Sequence, residues 1–199
     1  MISPKFIIFT GPMFGSKTTR LIAAIDRYQI QKKHVTVFKP KMDVRYDMDR
    51  ITTHNGGSVP AYVVNSGKDI MRYILMDASK DKGTSASVSL PDVIAVDEAF
   101  MIDNVAPTLV ELFKRGITIV ISSLELSASC LPFVNIQEIL PWATKIQKCP
   151  AVCTICSRDA YYTHRKIDSL DEIAIGGSDL YEPRCWYHHS AMNNKKEVC

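Results

Sequence analysis

The stretch Phe6-Ile7-Ile8-Phe9-Thr10-Gly11-Pro12-Met13-Phe14-Gly15-Ser16-Lys17-Thr18 constrains this chain more than any other. An apolar run breaks into a glycine-bearing loop, which gives way to a lysine followed by a hydroxyl. Those residue types in that order predict a buried strand, a phosphate loop and the start of a helix. The loop N–H groups and the positive helix end would face an anion, Lys17 would reach the terminal phosphates and Thr18 would hold Mg²⁺. The usual spacing is G-x-x-x-x-G-K-[ST]; here Ser16 takes the place of the second glycine and Gly15 lies one position earlier. Glycine is preferred where backbone approaches a phosphate or turns with positive φ, and a serine forced into the left-handed region costs about 1–2 kcal/mol.

From Lys17 to about Lys33, Leu21, Ile22, Ile25 and Tyr28 recur at helical spacing with charges off that face, which predicts an amphipathic helix. The alternating, β-branched His34 to Phe38 predicts a strand ended by Pro40, and the βαβ unit so formed implies a parallel sheet. Lys39 to Gly57 is polar and lacks an apolar period, so it reads as a long loop at the ligand-binding edge, with Asp43, Arg45 and Tyr46 grouped in it. Ala61 to Val64 predicts a short strand, and Lys68 to about Met76 a helix with Ile70, Met71, Ile74 and Leu75 inward. Ala78 to Ser89, rich in Ser, Lys, Asp and Gly, reads as a surface loop.

Val93-Ile94-Ala95-Val96-Asp97-Glu98 is the second chemical landmark: an apolar strand that ends in two carboxylates. It would bring them to the sheet edge that carries the phosphate loop, with Asp97 binding Mg²⁺ through water and Glu98 acting as a base. Further on, Asp103 or Asn104 is placed to cap a helix with Pro107 in its first turn and a stop at Gly116. Ile117 to Ser122 predicts another buried strand, Leu131 to Leu140 a loop and short helix, and Thr144 to Lys148 the last strand of the sheet.

Beyond Gln147 the composition changes. Cys153-x-x-Cys156 and Cys185-x-x-His188 are two close pairs separated by a long excursion, the spacing of two knuckles that meet around one tetrahedral Zn²⁺. Cys153, Cys156, Cys185 and His188 fill such a sphere, so the metal would be structural and would anchor the intervening segment. His189 sits one residue too far, and Cys149 is a spare. Gly176-Gly177 permits a close backbone approach to something flat, and Tyr181 offers a ring face and a hydroxyl, so the pinned segment reads as a lid.

The 199 residues, 46% of them apolar, suffice for one domain of ordinary size and a small second module. A net charge of +3 makes no case for a nucleic-acid polymer or an anionic membrane as partner. No apolar run reaches membrane-spanning length and the opening residues lack a signal peptide's apolar centre, which makes the cytosol the expected location. The six cysteines are then expected as thiols or metal ligands rather than disulfides.

Nearly end to end, this sequence resembles the type II thymidine kinases, a family spread through animal cytosol, bacteria, large DNA viruses and phages. The likeness is carried by Gly11-Pro12-Met13-Phe14, Asp43-x-Arg45-Tyr46, Asp97-Glu98, Pro132-Phe133, Val152-Cys153-x-x-Cys156, Tyr162-Thr163, Ile175-Gly176-Gly177-x-Asp179-x-Tyr181 and Cys185, in shared order and spacing. The fold class it implies is α/β: a P-loop (RecA-like) parallel sheet flanked by helices over residues 1–148, and a small zinc-binding ribbon or lasso over 149–199. It further implies transfer of the ATP γ-phosphoryl to the 5′-hydroxyl of thymidine or deoxyuridine, usually by a homotetramer. Glu98 would be the base and Arg45 would lie near the acceptor end. Gly11 to Thr18, with Asp97, would hold ATP and Mg²⁺. Met13 would line the base's 5-substituent, and Asp43, Thr163, Ile175, Gly176 and Tyr181 belong to the nucleoside grip.

Three departures stand out: the Gly15-Ser16 order is inverted, Ala99-Phe100-Met101 follows Glu98, and Leu124-Glu125-Leu126-Ser127-Ala128 lacks the family's aromatic residue. They leave open a modified pyrimidine as acceptor, or a nucleotide-binding module without catalysis, and the divergence points to a phage or viral source. Restoring the loop order by Gly15→Ser with Ser16→Gly is expected to leave activity equal or higher, and loss of the metal to loosen the lasso before the ATP site.

Overall fold

A computed structural model of the chain describes residues 3–43, 49–53, 56–80, 90–167 and 176–192. Its elements in order are β1 (Phe6–Thr10), α1 (Lys17–Ile30), β2 (Val35–Pro40), β3 (Arg50–Thr52), β4 (Ser58–Pro60), β5 (Tyr62–Val64), α2 (Gly67–Lys80) and β6 (Val93–Val96). There follow α3 (Val105–Lys114), β7 (Thr118–Ser123), α4 (Val134–Ile139), β8 (Lys145–Lys148), β9 (Ala151–Val152), β10 (Asp159–Ala160), β11 (Tyr162–Arg165) and β12 (Tyr181–Arg184).

Six strands form one sheet in the order β5-β2-β6-β7-β1-β8, and every pairing in it is parallel. Strands buried on both faces read as continuous apolar runs, and the period of two still sorts their side chains. Ile94, Val96, Ile119 and Ile121 face Ile70, Ile74, Leu109, Leu112 and Ile136 of α2, α3 and α4. Val93, Ala95 and Val120 face the other way, onto Leu21 and Ile25 of α1. Both cores are apolar layers, aliphatic with Phe6, Phe38 and Phe100 in one and Phe9 in the other, and they hold the carboxyl ends of β1, β2 and β6 in register, the edge at which ligands of such sheets bind.

Several expectations need correction. The supposed loop from Lys39 to Gly57 contributes its first two residues to β2 and carries β3, which pairs antiparallel with β4 in a separate hairpin. The first helix stops at Ile30, because Lys32 adopts a left-handed φ of 60°. Leu75 is 53% exposed while Ile70 and Ile74 are buried, so the inward stripe of α2 is narrower than read. Asn104 precedes α3 with φ 48° and makes no side-chain cap; Asp103 bonds through its backbone to Asn65 and Gly67 instead. The excursion between the ligand pairs, given no strands above, carries β10, which pairs with β9, and β11, which pairs with β12. Helix α2 covers the start of the segment read as loop, and residues 81–89 lie outside the described residues. No helix among the described residues is long and apolar enough to cross a membrane.

Candidate active site and metal centre

Strand β1 ends at Thr10, and the chain turns at Gly11 with φ 137°, a backbone shape that favours glycine. Phe14 and Ser16 also take left-handed φ, 65° and 56°, and α1 begins at the next residue, Lys17. What bends the loop this way is a neighbour far off in sequence. A Cβ on Gly11 would lie 2.4 Å from the Cys149 carbonyl oxygen and one on Gly15 would lie 2.3 Å from it. The Cys149 N–H in turn donates to the Thr10 carbonyl at 2.7 Å, which fixes the wedge to β1. Gly15 is therefore the position where no side chain fits, and Ser16 carries the strained φ. The expected benefit of restoring Ser-Gly order is overturned by that contact.

Lys17 is buried, and its ammonium donates to the Pro12 carbonyl at 2.6 Å, inside the loop. At the end of β6, Asp97 receives the Thr18 hydroxyl at 3.1 Å and the Ser122 hydroxyl. Burial pushes Asp97 up to about 7; the charges of Glu98 and Asp43 push the same way, against the hydrogen bonds from Ser122 and Thr18. Such a carboxylate favours a cation beside it, because a positive charge relieves the cost of ionising a buried acid. Thr18 and Asp97 together offer the hard oxygen donors that Mg²⁺ takes. Glu98, next in the chain, is buried with φ 46° and ψ 48°.

Met13, Lys17, Thr18, Asp43, Asp97 and Glu98 share the walls of one cavity of about 280 Å³. Phe14, Gly15 and Ser16 also line it, as does Gly177 from the far segment. Thr163, Gly176 and Tyr181 are not among its walls. Thr163 instead accepts the Met13 N–H on its hydroxyl at 3.0 Å, and Tyr181 is buried with its hydroxyl accepting from Arg165 at 3.3 Å. Arg45 and Ile175 lie outside the described residues.

The sequence reading missed Thr19, Lys39 and the run Arg50 to Thr53, all of which line the cavity. Lys39 is buried and donates to the Arg50 carbonyl at 3.1 Å, so a second cation and the hairpin share that wall. A signal was present: Arg50-Ile51-Thr52-Thr53 and Ser58-Val59-Pro60 flank Asn55-Gly56, the dipeptide of tight hairpin turns.

The four expected metal ligands converge. Their donor atoms all lie within 4.8 Å of one another, with Cys156 Sγ to Cys185 Sγ at 3.7 Å, Cys185 Sγ to His188 Nδ1 at 3.3 Å and Cys153 Sγ to His188 Nδ1 at 3.6 Å. Tetrahedral Zn²⁺ with ordinary bond lengths sets such edges at about 3.5–3.8 Å. Desolvation raises the Cys153 thiol, but the N–H groups of Cys185, Cys156 and Ile155 and the His188 imidazole outweigh it and bring it down to about 6. A thiol so placed is ready to ligate as thiolate. His189 and Cys149 stand outside the cluster.

The metal module is not remote from the loop. Its small core of Ala151, Cys153, Ala160 and Cys185 is completed by Phe14, so loss of the metal is expected to reach the phosphate loop together with the lasso. Protein purified without chelator is expected to carry about one zinc per chain by elemental analysis. Stripping the metal or Cys153→Ser should lower the melting temperature and weaken ATP binding together, and protein devoid of metal would end the assignment.

A glycine loop between a central strand and a helix, with an acid at the end of a strand one removed in an all-parallel sheet, defines a P-loop nucleotide-binding protein of the α/β class. The chain matches the thymidine kinase family over residues 5–189 and belongs to it. Membership supports nucleoside phosphorylation as the general activity. By structure the chain is similar to the cytoplasmic domain of the Thermomonospora curvata Type VII secretion ATPase EccC, at 14% identity and a TM-score of 0.45 over 80% of this chain. It spans 22% of that chain's length.

Proposed function

We propose that this protein transfers the γ-phosphoryl group of ATP to the 5′-hydroxyl of thymidine or deoxyuridine. One observation carries the reading: in a chain of the thymidine kinase family, Lys17, Thr18, Asp97 and Glu98 line a single cavity. Glu98 takes the proton of the 5′-hydroxyl as its oxygen bonds to the γ-phosphorus, and the bond to the bridging oxygen breaks to release ADP. Lys17 and the N–H groups of the loop from Gly11 to Ser16 neutralise and orient the phosphates. Thr18 and Asp97 would hold Mg²⁺, which when bound would further neutralise phosphate charge. By the family resemblance, Met13, Asp43 and Arg45 are assigned to the acceptor end and Thr163, Ile175, Gly176 and Tyr181 to the nucleoside grip. In this reading residues 1–148 form the nucleotide-binding domain and 149–199 the lasso, anchored by a structural Zn²⁺. The protein works in the cytoplasm as a homotetramer or dimer, on small molecules alone.

Radiolabelled ATP offered with a panel of nucleosides tests this. Thymidine and deoxyuridine are expected to yield monophosphate. ATP binding with no monophosphate from any nucleoside would leave only a nucleotide-binding module, and product from a modified pyrimidine alone would assign the changed stretch Leu124 to Ala128 to a different acceptor.

A further inference from the structure

His189 is 1% exposed and takes no part in the metal cluster, yet it follows His188 directly. Its ring is held from several sides. The Ala191 N–H donates to Nδ1 at 3.3 Å, so the ring proton sits on Nε2. Nε2 lies 3.0 Å from the Thr163 carbonyl and donates to it. Tyr162 and His164 pack against the ring at 5.6 and 5.8 Å between centroids, and Cys130 Sγ lies 3.8 Å from Nδ1. Thr163 turns its other side to the phosphate loop, where its hydroxyl accepts the Met13 N–H at 3.0 Å.

A buried polar ring with both nitrogens engaged is costly to keep unless each bond fixes something, since a hydrophobe of the same volume would fill the hole without needing partners. Here the Nε2 bond fixes β11 at Thr163, whose hydroxyl bonds the loop. The neighbouring residue Phe14 is gripped by the core that surrounds the cluster. Two successive loop residues, Met13 and Phe14, are thus held by the metal module, one by a hydrogen-bonded relay and one by packing.

We infer that His189 is a positioning residue: it fixes Thr163, and Thr163 fixes the Met13 N–H, so that the metal centre beside it sets the geometry of the nucleotide site. The inference deepens the kinase reading and rests on it only for the identity of the acceptor, because ATP binding alone reports the relay.

The test compares two polar replacements, His189→Gln, whose amide reaches the Thr163 carbonyl, and His189→Asn, whose amide falls short of it. ATP affinity is measured by calorimetry in the presence of Mg²⁺, with zinc content and melting temperature on the same samples. His189→Asn is expected to weaken ATP binding about tenfold with zinc retained, His189→Gln to stay within about twofold of the parent, and Thr163→Val to match the Asn variant, each figure being that of one hydrogen bond. The double variant His189→Asn with Thr163→Val should be no weaker than Thr163→Val alone, because the two act on one path. Unchanged affinity in the Asn variant, loss of zinc from it, equal losses in Gln and Asn, or additive losses in the double variant would overturn the proposal. Should the Asn variant fail to fold, Thr163→Val decides: unchanged ATP affinity there overturns it as well. A parent protein that binds ATP but phosphorylates no nucleoside would refute the kinase reading and leave this series intact.

Discussion

Glu98→Gln is expected to lower turnover by about 10²–10⁴-fold, the range supplied by one general base, while ATP affinity changes little. Glutamine keeps the shape of the side chain and its place at the end of β6, where a left-handed φ of 46° follows Asp97. It removes only the ability to take a proton from the acceptor hydroxyl. Lys17 and the loop, which bind the phosphates in this reading, are untouched. A second consequence has a definite sign. The Glu98 charge is one cause of the raised Asp97 value, so the variant's Asp97 ionises at lower pH than the parent's. Steady-state kinetics with thymidine at a series of pH values, beside an ATP titration, measure the turnover, the affinity and the shift. Turnover within tenfold of the parent would remove Glu98 from the role of base.

Gly15→Ser is expected to cost about 3 kcal/mol or more of stability, at or beyond the upper end for overpacking a tight site, and to weaken ATP binding strongly. A Cβ there would meet the Cys149 carbonyl oxygen at 2.3 Å. That carbonyl has no room to retreat, since Cys149 is buried and its N–H is bonded to the Thr10 carbonyl. Ser16→Gly alone should act the other way and stabilise by about 1 kcal/mol, because glycine adopts φ 56° without the clash a Cβ brings. The paired exchange is therefore a net loss. Denaturant melts of the two single variants and the pair decide it, and a pair as stable as the parent would show that the wedge yields.

The features legible in the sequence are those whose cause is local. Val93 to Val96 and Phe6 to Thr10 declare themselves because strands covered on both faces need unbroken apolar runs, and the acids after β6 and the lysine after the loop follow from those strands. The metal ligands declare themselves because knuckle spacing is a short-range geometric requirement. The hairpin of β3 and β4 escaped because its residues are polar enough to pass for loop, although Asn55-Gly56 marked it. The meaning of Gly15-Ser16 was beyond any local reading. Whether glycine is needed for its φ or for its missing side chain depends on Cys149, which reaches the loop only through the pairing of β8 with β1. The role of His189 is likewise tertiary, since nothing near it in sequence shows that it meets Thr163.

The place of β1 in the sheet has a consequence for how the chain is made. Its neighbours are β7 and β8, so β1 has no strand partner in the sheet until β7, far along the chain, has left the ribosome. Parallel pairings of such long sequence separation form slowly and leave an apolar edge uncovered meanwhile. Among the described strands β1 waits longest for a partner, which makes Phe6 to Phe9 a segment on which a holding chaperone would act during synthesis.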